Sequence, residues 1–312
     1  MDVPTRAAFS AMGNTVDVAV MGDGGSRLVD AAQERIEELE SRWSRFRDGS
    51  DVARLNAAGG RPVPVHRDTV LLVRYLVAAQ AATKRAFDPT LGPELARLGY
   101  RASRTDHRRT SSFHEHAVAG TSLEATRIDE RFGEVQLPPR ATLDPGGLGK
   151  GLAADLAAAL LRREGADGAC VSIGGDLRCT GRGPIGGHWT IGVADAHDRS
   201  RTVQVLRLGD GGVATSSVLA KQWTEAGAPR HHVLDPDTAQ PLPPGDGAVI
   251  QVSAVAAEAV WAEVAATAAL VRQCAAAGEL GSGEGSGRIA VRAVRADGSV
   301  DETEGWRDFV DE

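Results

Sequence analysis

The sequence predicts an α+β protein in which two lobes enclose a cleft. Three observations carry that expectation. Strand and helix patterns mix along the chain without a regular βαβ alternation, no internal repeat of fixed period is present, and a glycine-rich loop at 143–151 runs straight into an alanine-rich helix. With 312 residues and 42% apolar content, the chain can bury a substantial core.

The elements follow in order. Val16-Asp17-Val18-Ala19-Val20 alternates as a strand does, and the glycine cluster from Gly22 to Gly25 ends it. Leu28, Ala32, Ile36, Leu39 and Trp43 then recur at helical spacing on one face, with Glu34, Glu37, Glu38 and Glu40 mostly outside. A second helix, capped by Asp68, runs through Leu71, Leu72, Tyr75, Leu76 and Ala79. It must stop near Ala86-Phe87-Asp88-Pro89, because the residue before a proline resists helical ψ, and this leaves Asp88 on a loop.

Residues 101–116 are polar, rich in arginine and serine and without apolar periodicity, which predicts an exposed excursion. Its His114 and His116 have metal-like spacing but no further ligands nearby, so a solvated loop is the expectation. From Lys150 to Glu164 strong helix formers follow one another, and Gly165 is placed to cap the helix in a left-handed conformation. A strand at 169–173 ends at Gly174-Gly175-Asp176. Further strands are expected around 189–194, 202–208 and 249–255, then a helix from about Ala257 to Ala277 before Gly278, a glycine- and serine-containing tail after Gly281, and a strand from Arg288 to Val294.

Composition excludes some partners. The 35 basic and 42 acidic residues give a net charge of −7, which offers no global attraction to nucleic acid or to an anionic membrane. Cys170, Cys179 and Cys274 form an odd set without CxxC spacing, as expected of reduced thiols, with Cys170 packing in the interior. No stretch of 18 uninterrupted apolar residues occurs, and the N-terminus lacks a basic flank followed by an apolar run. A cytoplasmic chain without membrane insertion is the expectation.

Four clusters carry chemistry. In Leu143-Asp144-Pro145-Gly146-Gly147-Leu148-Gly149-Lys150-Gly151, glycines allow close approach of backbone, the following helix start presents N–H groups, and Lys150 adds a positive charge. That pattern suits a diphosphate, and it also suits a plain strand-to-helix turn. It is not a Walker A loop, which needs glycine at Asp144 and Ser or Thr at Gly151. Gly181 to Gly186 matches GxGxxG but leads into a strand, so it is not a dinucleotide fingerprint either.

On a helix otherwise of alanine and valine, Glu263 and Thr267 stand one turn apart on a single face. Both are hard oxygen donors of the kind Mg²⁺ accepts, unless they simply form a solvent-facing stripe. The segment Arg230 to Thr238 ends a strand in an Asp-Pro turn, with His231 and His232 on alternate faces, so only one can enter a given cleft. Gly212 to Ser217 offers small residues and hydroxyls that could line a phosphate or a flavin edge.

Together, in this order, these pieces resemble the ApbE family of FAD:protein FMN transferases from Ala11 to about Val271. Ala11-Met12-Gly13-Asn14 is similar to the family's MGT element, Ser50 to Asn56 to SELSRLN, and Ala86 to Pro93 to FDPTxGP. Asp144 to Gly151 resembles DLGGIAKG, Ile173 to Leu177 resembles IGGEI, and Ala214-Thr215-Ser216 resembles ATSG. His231 to Thr238 resembles SHIIDPRTG, with His232 on the family's histidine, and Glu263 to Thr267 matches the D-x-x-x-T metal pair.

The resemblance implies one ApbE-like domain over 1–312 that holds FAD with Mg²⁺ on its diphosphate. It would transfer the FMN half to a Ser or Thr of an acceptor flavoprotein, releasing AMP. By the same implication Met12, Phe46, Ala86, Phe87 and Asp88 contact the flavin or adenine halves, and Asp144 and Lys150 the nucleotide. Ser216 joins the cofactor-binding set, and Gly147 offers a carbonyl to the metal beside Glu263 and Thr267. His232 is the candidate base for the acceptor hydroxyl, with Lys150 neutralising phosphate charge. FAD hydrolysis to FMN and AMP, or FAD binding without catalysis, are the alternatives. Three residues depart from the family pattern: Glu263 for Asp, Ser217 for the glycine of ATSG, and Ala239 for the glycine of DPRTG. The last two are expected to tighten the cleft around the flavin.

Overall fold

A computed structural model describes residues 3–103, 105–225, 227–275 and 288–311. The hairpin β1 (Thr5–Ala11) and β2 (Asn14–Met21) precedes α1 (Gly25–Trp43) and α2 (Asp51–Ala57). Next come β3 (Val63–Pro64), α3 (Arg67–Ala82), α4 (Gly92–Arg97), β4 (Arg127–Asp129) and β5 (Glu134–Gln136), then a 3-10 turn at Pro145–Gly147 and α5 (Gly149–Arg163). Strands β6 (Gly168–Ile173), β7 (Asp176–Gly181), β8 (Trp189–Ala194), β9 (Thr202–Leu208) and β10 (Gly211–Ser217) follow. Two short hairpins pair β11 (Gln222–Glu225) with β12 (Ala228–His231) and β13 (Leu234–Asp235) with β14 (Gln240–Pro241). The chain closes with β15 (Val249–Ala256), α6 (Ala259–Val271), β16 (Ala290–Arg295), β17 (Val300–Glu302) and a 3-10 helix at Glu304–Phe309.

Eight strands build one antiparallel sheet in the order β1-β2-β6-β7-β10-β15-β16-β17. The two-residue period of its strands sorts side chains to two apolar layers. Val16, Val18, Val20, Val171, Ile173 and Ala214 join the larger core, which α1, α5 and α6 cover. Ala19, Met21, Leu177, Cys179 and Val213 face a smaller core closed by the β8–β9 hairpin and Trp306. Cys170 and Cys179 are direct cross-strand partners there, with sulfurs 3.4 Å apart. Helices therefore lie on one face of the sheet and a hairpin on the other, an α+β arrangement.

All five apolar residues spaced along the first helix, from Leu28 to Trp43, are buried. Other expectations need correction. Asp68 does not cap α3: His66 is the cap residue, its Nδ1 accepting from the Asp68 N–H at 3.2 Å. Asp68 instead binds Arg35 and Arg42 of α1, an ion-pair triad that a sequence pattern over α3 alone cannot see. The last long helix ends at Val271 rather than Ala277, because Gln273 turns to a left-handed φ of 57° and its side chain bonds the backbone of Val249. Ala277, Gly278 and most of the glycine- and serine-containing tail lie outside the described residues. The segment 101–116 is mostly exposed, yet it is tied down by the Ala102–Thr110 bridge and by Arg45 bonding Ser111. The edge strands β1 and β17, which lack clear alternation or length, form by antiparallel pairing with their immediate neighbours in sequence, β2 and β16.

The start of α6 is set by three contacts. Asp155 of α5 accepts from the N–H groups of Ala259 and Val260, both at 2.9 Å, replacing the cap that Glu258 does not provide. A Cβ at Gly151 would lie 2.5 Å from the Ala259 carbonyl oxygen, and one at Gly212 would lie 2.2 Å from the Ala259 nitrogen. Only glycine lets α5 and β10 approach α6 this closely. Asp155→Ala is expected to destabilise the fold by about 1–3 kcal/mol, since two buried donors lose their acceptor. Urea denaturation measures this, and an unchanged midpoint would show that water replaces the carboxylate.

Candidate active site

A cleft of about 800 Å³ opens where the turns at one end of the central sheet meet α6 and the loops after α1 and α3. This is the size of a small-molecule site. Every sequence-selected residue lines it: Met12, Phe46, Ala86, Phe87, Asp88, Asp144, Gly147, Lys150, Ser216, His232, Glu263 and Thr267. Residues more than 250 positions apart in sequence, such as Met12 and Glu263, thus line one cleft.

Lys150 is the centre of charge. Its Nζ lies 2.7 Å from Asp176 Oδ2 and bonds Glu263 Oε1, while Glu263 Oε2 accepts the Gly151 N–H at 2.8 Å. Burial works against the ammonium, but the Asp176 and Glu263 carboxylates outweigh it and hold Lys150 above its ordinary range. Burial pushes the Glu263 carboxyl upward, and Lys150 opposes that shift. Asp176 Oδ1 also accepts the Thr215 N–H at 3.2 Å, which joins β7 to β10 at the cleft floor. One turn along α6, Thr267 Oγ1 lies 2.9 Å from Ser216 Oγ. Helix α6 is buried on nearly all sides, so the Glu263 and Thr267 pair is not a solvent-facing stripe.

The glycine-rich loop is shaped by its neighbours. Asp144 caps the 3-10 turn by accepting from Gly146 N–H at 3.0 Å, and its other oxygen lies 3.1 Å from Nε of buried Arg45. A Cβ on Gly147 would meet the Phe87 ring at 2.8 Å, so glycine there allows the loop to pack on Phe87. Asp88 lines the cleft with a fully buried side chain turned into its own loop, where it accepts from Thr90 and Gln80 and pairs with Arg85. Met12 sits in the β1–β2 turn at a left-handed φ of 50°, held by Asn14 Nδ2 donating to its carbonyl at 2.7 Å. Such strain in a non-glycine residue is common where a side chain is aimed at a site.

On the other side, the Arg45 guanidinium lies 4.1 Å from the Phe46 ring centre and 5.1 Å from that of Tyr100, and Tyr100 stacks on Trp223. This aromatic wall suits a planar ring system. His232 faces the cleft. His231 turns away, its Nε2 at 3.1 Å from the Leu242 carbonyl oxygen. Burial, with the charges of Lys221, His231 and Lys150, holds His232 well below the usual histidine range, so its ring is neutral near pH 7.

Four site residues escaped sequence reasoning. Asp176 follows the Gly174-Gly175 turn and could have been selected from it, but Arg45, Tyr100 and Lys221 carry no local signal. Lys221 lines the cleft, and burial together with the charge of Lys150 pushes its ammonium down to about 8. Of the two lost glycines, Ser217 does line the cleft but donates to the Ile250 carbonyl. Ala239 stands outside it, in the turn of the β13–β14 hairpin, with φ of 54°. The expected tightening of the cleft by Ala239 is therefore not seen; the residue is strained in the turn itself. Ala239→Gly is expected to raise stability by up to about 1 kcal/mol, because a Cβ is disfavoured in the left-handed region. A thermal melt that shows no gain would place the strain elsewhere.

Oxygen donors dominate the Glu263 and Thr267 corner, which fits a hard divalent cation. Among the described residues no three His, Cys, Asp or Glu side chains converge as a metal cage, so an ion there would lean on neutral oxygens and on a ligand's phosphates.

The geometry has parallels. A protein of Vibrio cholerae named FAD:protein FMN transferase is 26% identical over 267 residues, covering 83% of this chain and 79% of its own length. One of Salmonella typhimurium with the same name is 27% identical over 261 residues, covering 81% and 74%. In three dimensions the chain is similar to the crystal structure of the ApbE protein from Thermotoga maritima, with a TM-score of 0.84 at 24% identity, covering 99% of this chain and 100% of that one. The flavin transferase ApbE from Vibrio cholerae gives a TM-score of 0.77 at 21% identity, covering 98% and 99%. These two structures share the fold. The ApbE family itself matches residues 12–287, a span that takes in the cleft loops from the β1–β2 turn to α6, and on that match the chain belongs to the ApbE family.

Proposed function

We propose that this chain is an FAD:protein FMN transferase. It binds FAD in the cleft and joins the FMN phosphate to a Ser or Thr hydroxyl of an acceptor flavoprotein, with AMP as the other product. The observation that carries this reading is the meeting of neutral His232, carboxylate-paired Lys150 and the oxygen pair of Glu263 and Thr267 in one cleft. The family match and the names of the relatives support it.

The acceptor oxygen attacks the phosphorus on the flavin side, the bond to the AMP oxygen breaks, and the hydroxyl proton goes to His232. A neutral imidazole is suited to that proton near pH 7. Lys150 places positive charge beside the diphosphate, and Asp176 holds its ammonium in position. The Gly147 backbone and the aromatic wall of Phe46 and Tyr100 orient the two halves of the dinucleotide. Mg²⁺, when bound, would be held by Glu263, Thr267 and the Gly147 carbonyl and would neutralise phosphate charge.

Among the described residues no helix is long and apolar enough to cross a membrane. The odd set of three cysteines without CxxC spacing is the sequence feature that supports a cytoplasmic location.

Incubation with FAD, Mg²⁺ and a candidate acceptor tests the reading. Flavin fluorescence that stays with the acceptor after denaturing electrophoresis is the expected result. Free FMN with no labelled acceptor would identify a pyrophosphatase, and intact FAD a binding protein.

A further inference from the structure

We propose that Lys221 is a second phosphate-binding cation of the cleft, contacting a non-bridging oxygen of the ligand's diphosphate beside His232. The inference rests on the reading of the cleft as an FAD site. It starts from an imbalance of charge. Lys150 has two carboxylates, Asp176 and Glu263, and Arg45 has Asp144. Among the described residues, Lys221 has no carboxylate within ion-pair distance and no hydrogen-bond acceptor for its ammonium, although it lines the same cleft half-buried.

A desolvated cation beside another cation is unfavourable, and the lowered pKa of Lys221 reports that cost. The carboxylates of Glu263, Asp176 and Asp144 attract it, but the first two are already bonded to Lys150 and the third to Arg45. The missing counter-charge must then come from a ligand. A diphosphate supplies it, with several anionic oxygens that can bridge the two lysines.

Position gives the residue its second property. Lys221 and His232 line the same cleft, and the Lys221 charge is one of the causes that keep the ring neutral. A phosphoryl group held by Lys221 is therefore next to the proposed base. Lys150 sits at the start of α5 and Lys221 after β10, so the two cations come from different elements.

Titration calorimetry of the full-length protein with FAD and with riboflavin, without divalent cation or acceptor so that no turnover occurs, tests the proposal. Lys221→Met is expected to weaken FAD binding about 10- to 100-fold, the scale of one charged phosphate contact, while riboflavin binding stays within about twofold. Lys221→Arg, which keeps the charge, is expected to recover most of the FAD affinity. A thermal melt no lower than wild type confirms that Lys221→Met is folded, as removal of an unpaired cation predicts. Wild-type FAD affinity in Lys221→Met, or an equal loss for FAD and riboflavin, would overturn the proposal. If the wild-type protein itself binds FAD no more tightly than riboflavin, the FAD reading fails first and the role of Lys221 fails with it.

Discussion

Replacing His232 by alanine is expected to lower FMN transfer by about two to four orders of magnitude, the range for loss of a general base. His231→Ala is the internal control: it removes the neighbouring imidazole, which bonds Leu242 on the other side of the strand, and should change transfer far less. The pH profile makes the assignment sharper. Burial and the nearby cations depress His232 well below the ordinary histidine value of 6.5, so the base form persists as pH falls through that value. Loss of activity on the acid side should therefore set in below pH 6.5, and activity should be level from there towards pH 8. An acid limb centred at or above 6.5, or near-normal turnover in His232→Ala, would remove His232 from the role.

Lys150→Met is expected to cost about 3–5 kcal/mol of folding stability at neutral pH, because it leaves two buried carboxylates without their cation. The mechanism predicts a pH signature. Burial already raises the Glu263 carboxyl and Lys150 opposes that shift, so without Lys150 its folded-state pKa stays above the unfolded one and the folded state binds more protons than the unfolded state in the acid range. The penalty belongs to the ionised form and should shrink as pH falls through that raised value. Urea denaturation at pH 8 and pH 5.5 compares the two conditions. A deficit that is the same at both would point to lost packing of the lysine stem rather than to unpaired charge. FMN transfer should be lost in this variant at either pH, since the phosphate charge is no longer balanced.

Much of the site was legible because its parts are local. The turn glycines of 143–151, the Asp-Pro turn after His232 and the one-turn spacing of Glu263 and Thr267 depend on backbone conformation within a few residues. Each survives into the structure in the element expected for it. Asp68 and the end of α6 were misread for the opposite reason. Their outcome depends on Arg35, Arg42 and Val249, which lie on other elements. Lys221 and Arg45 were invisible because a lone cation in a loop has no pattern; only its surroundings make it unusual.

What the sequence determined by itself was the family, the mixed α+β class and the set of residues that meet in the cleft, since motif order and short-range spacing encode these. Tertiary structure alone decided which charges are balanced. Coulomb energy and desolvation depend on distance and burial in three dimensions, so only the folded chain could pair Lys150 with Asp176 and Glu263 and leave Lys221 without a carboxylate among the described residues.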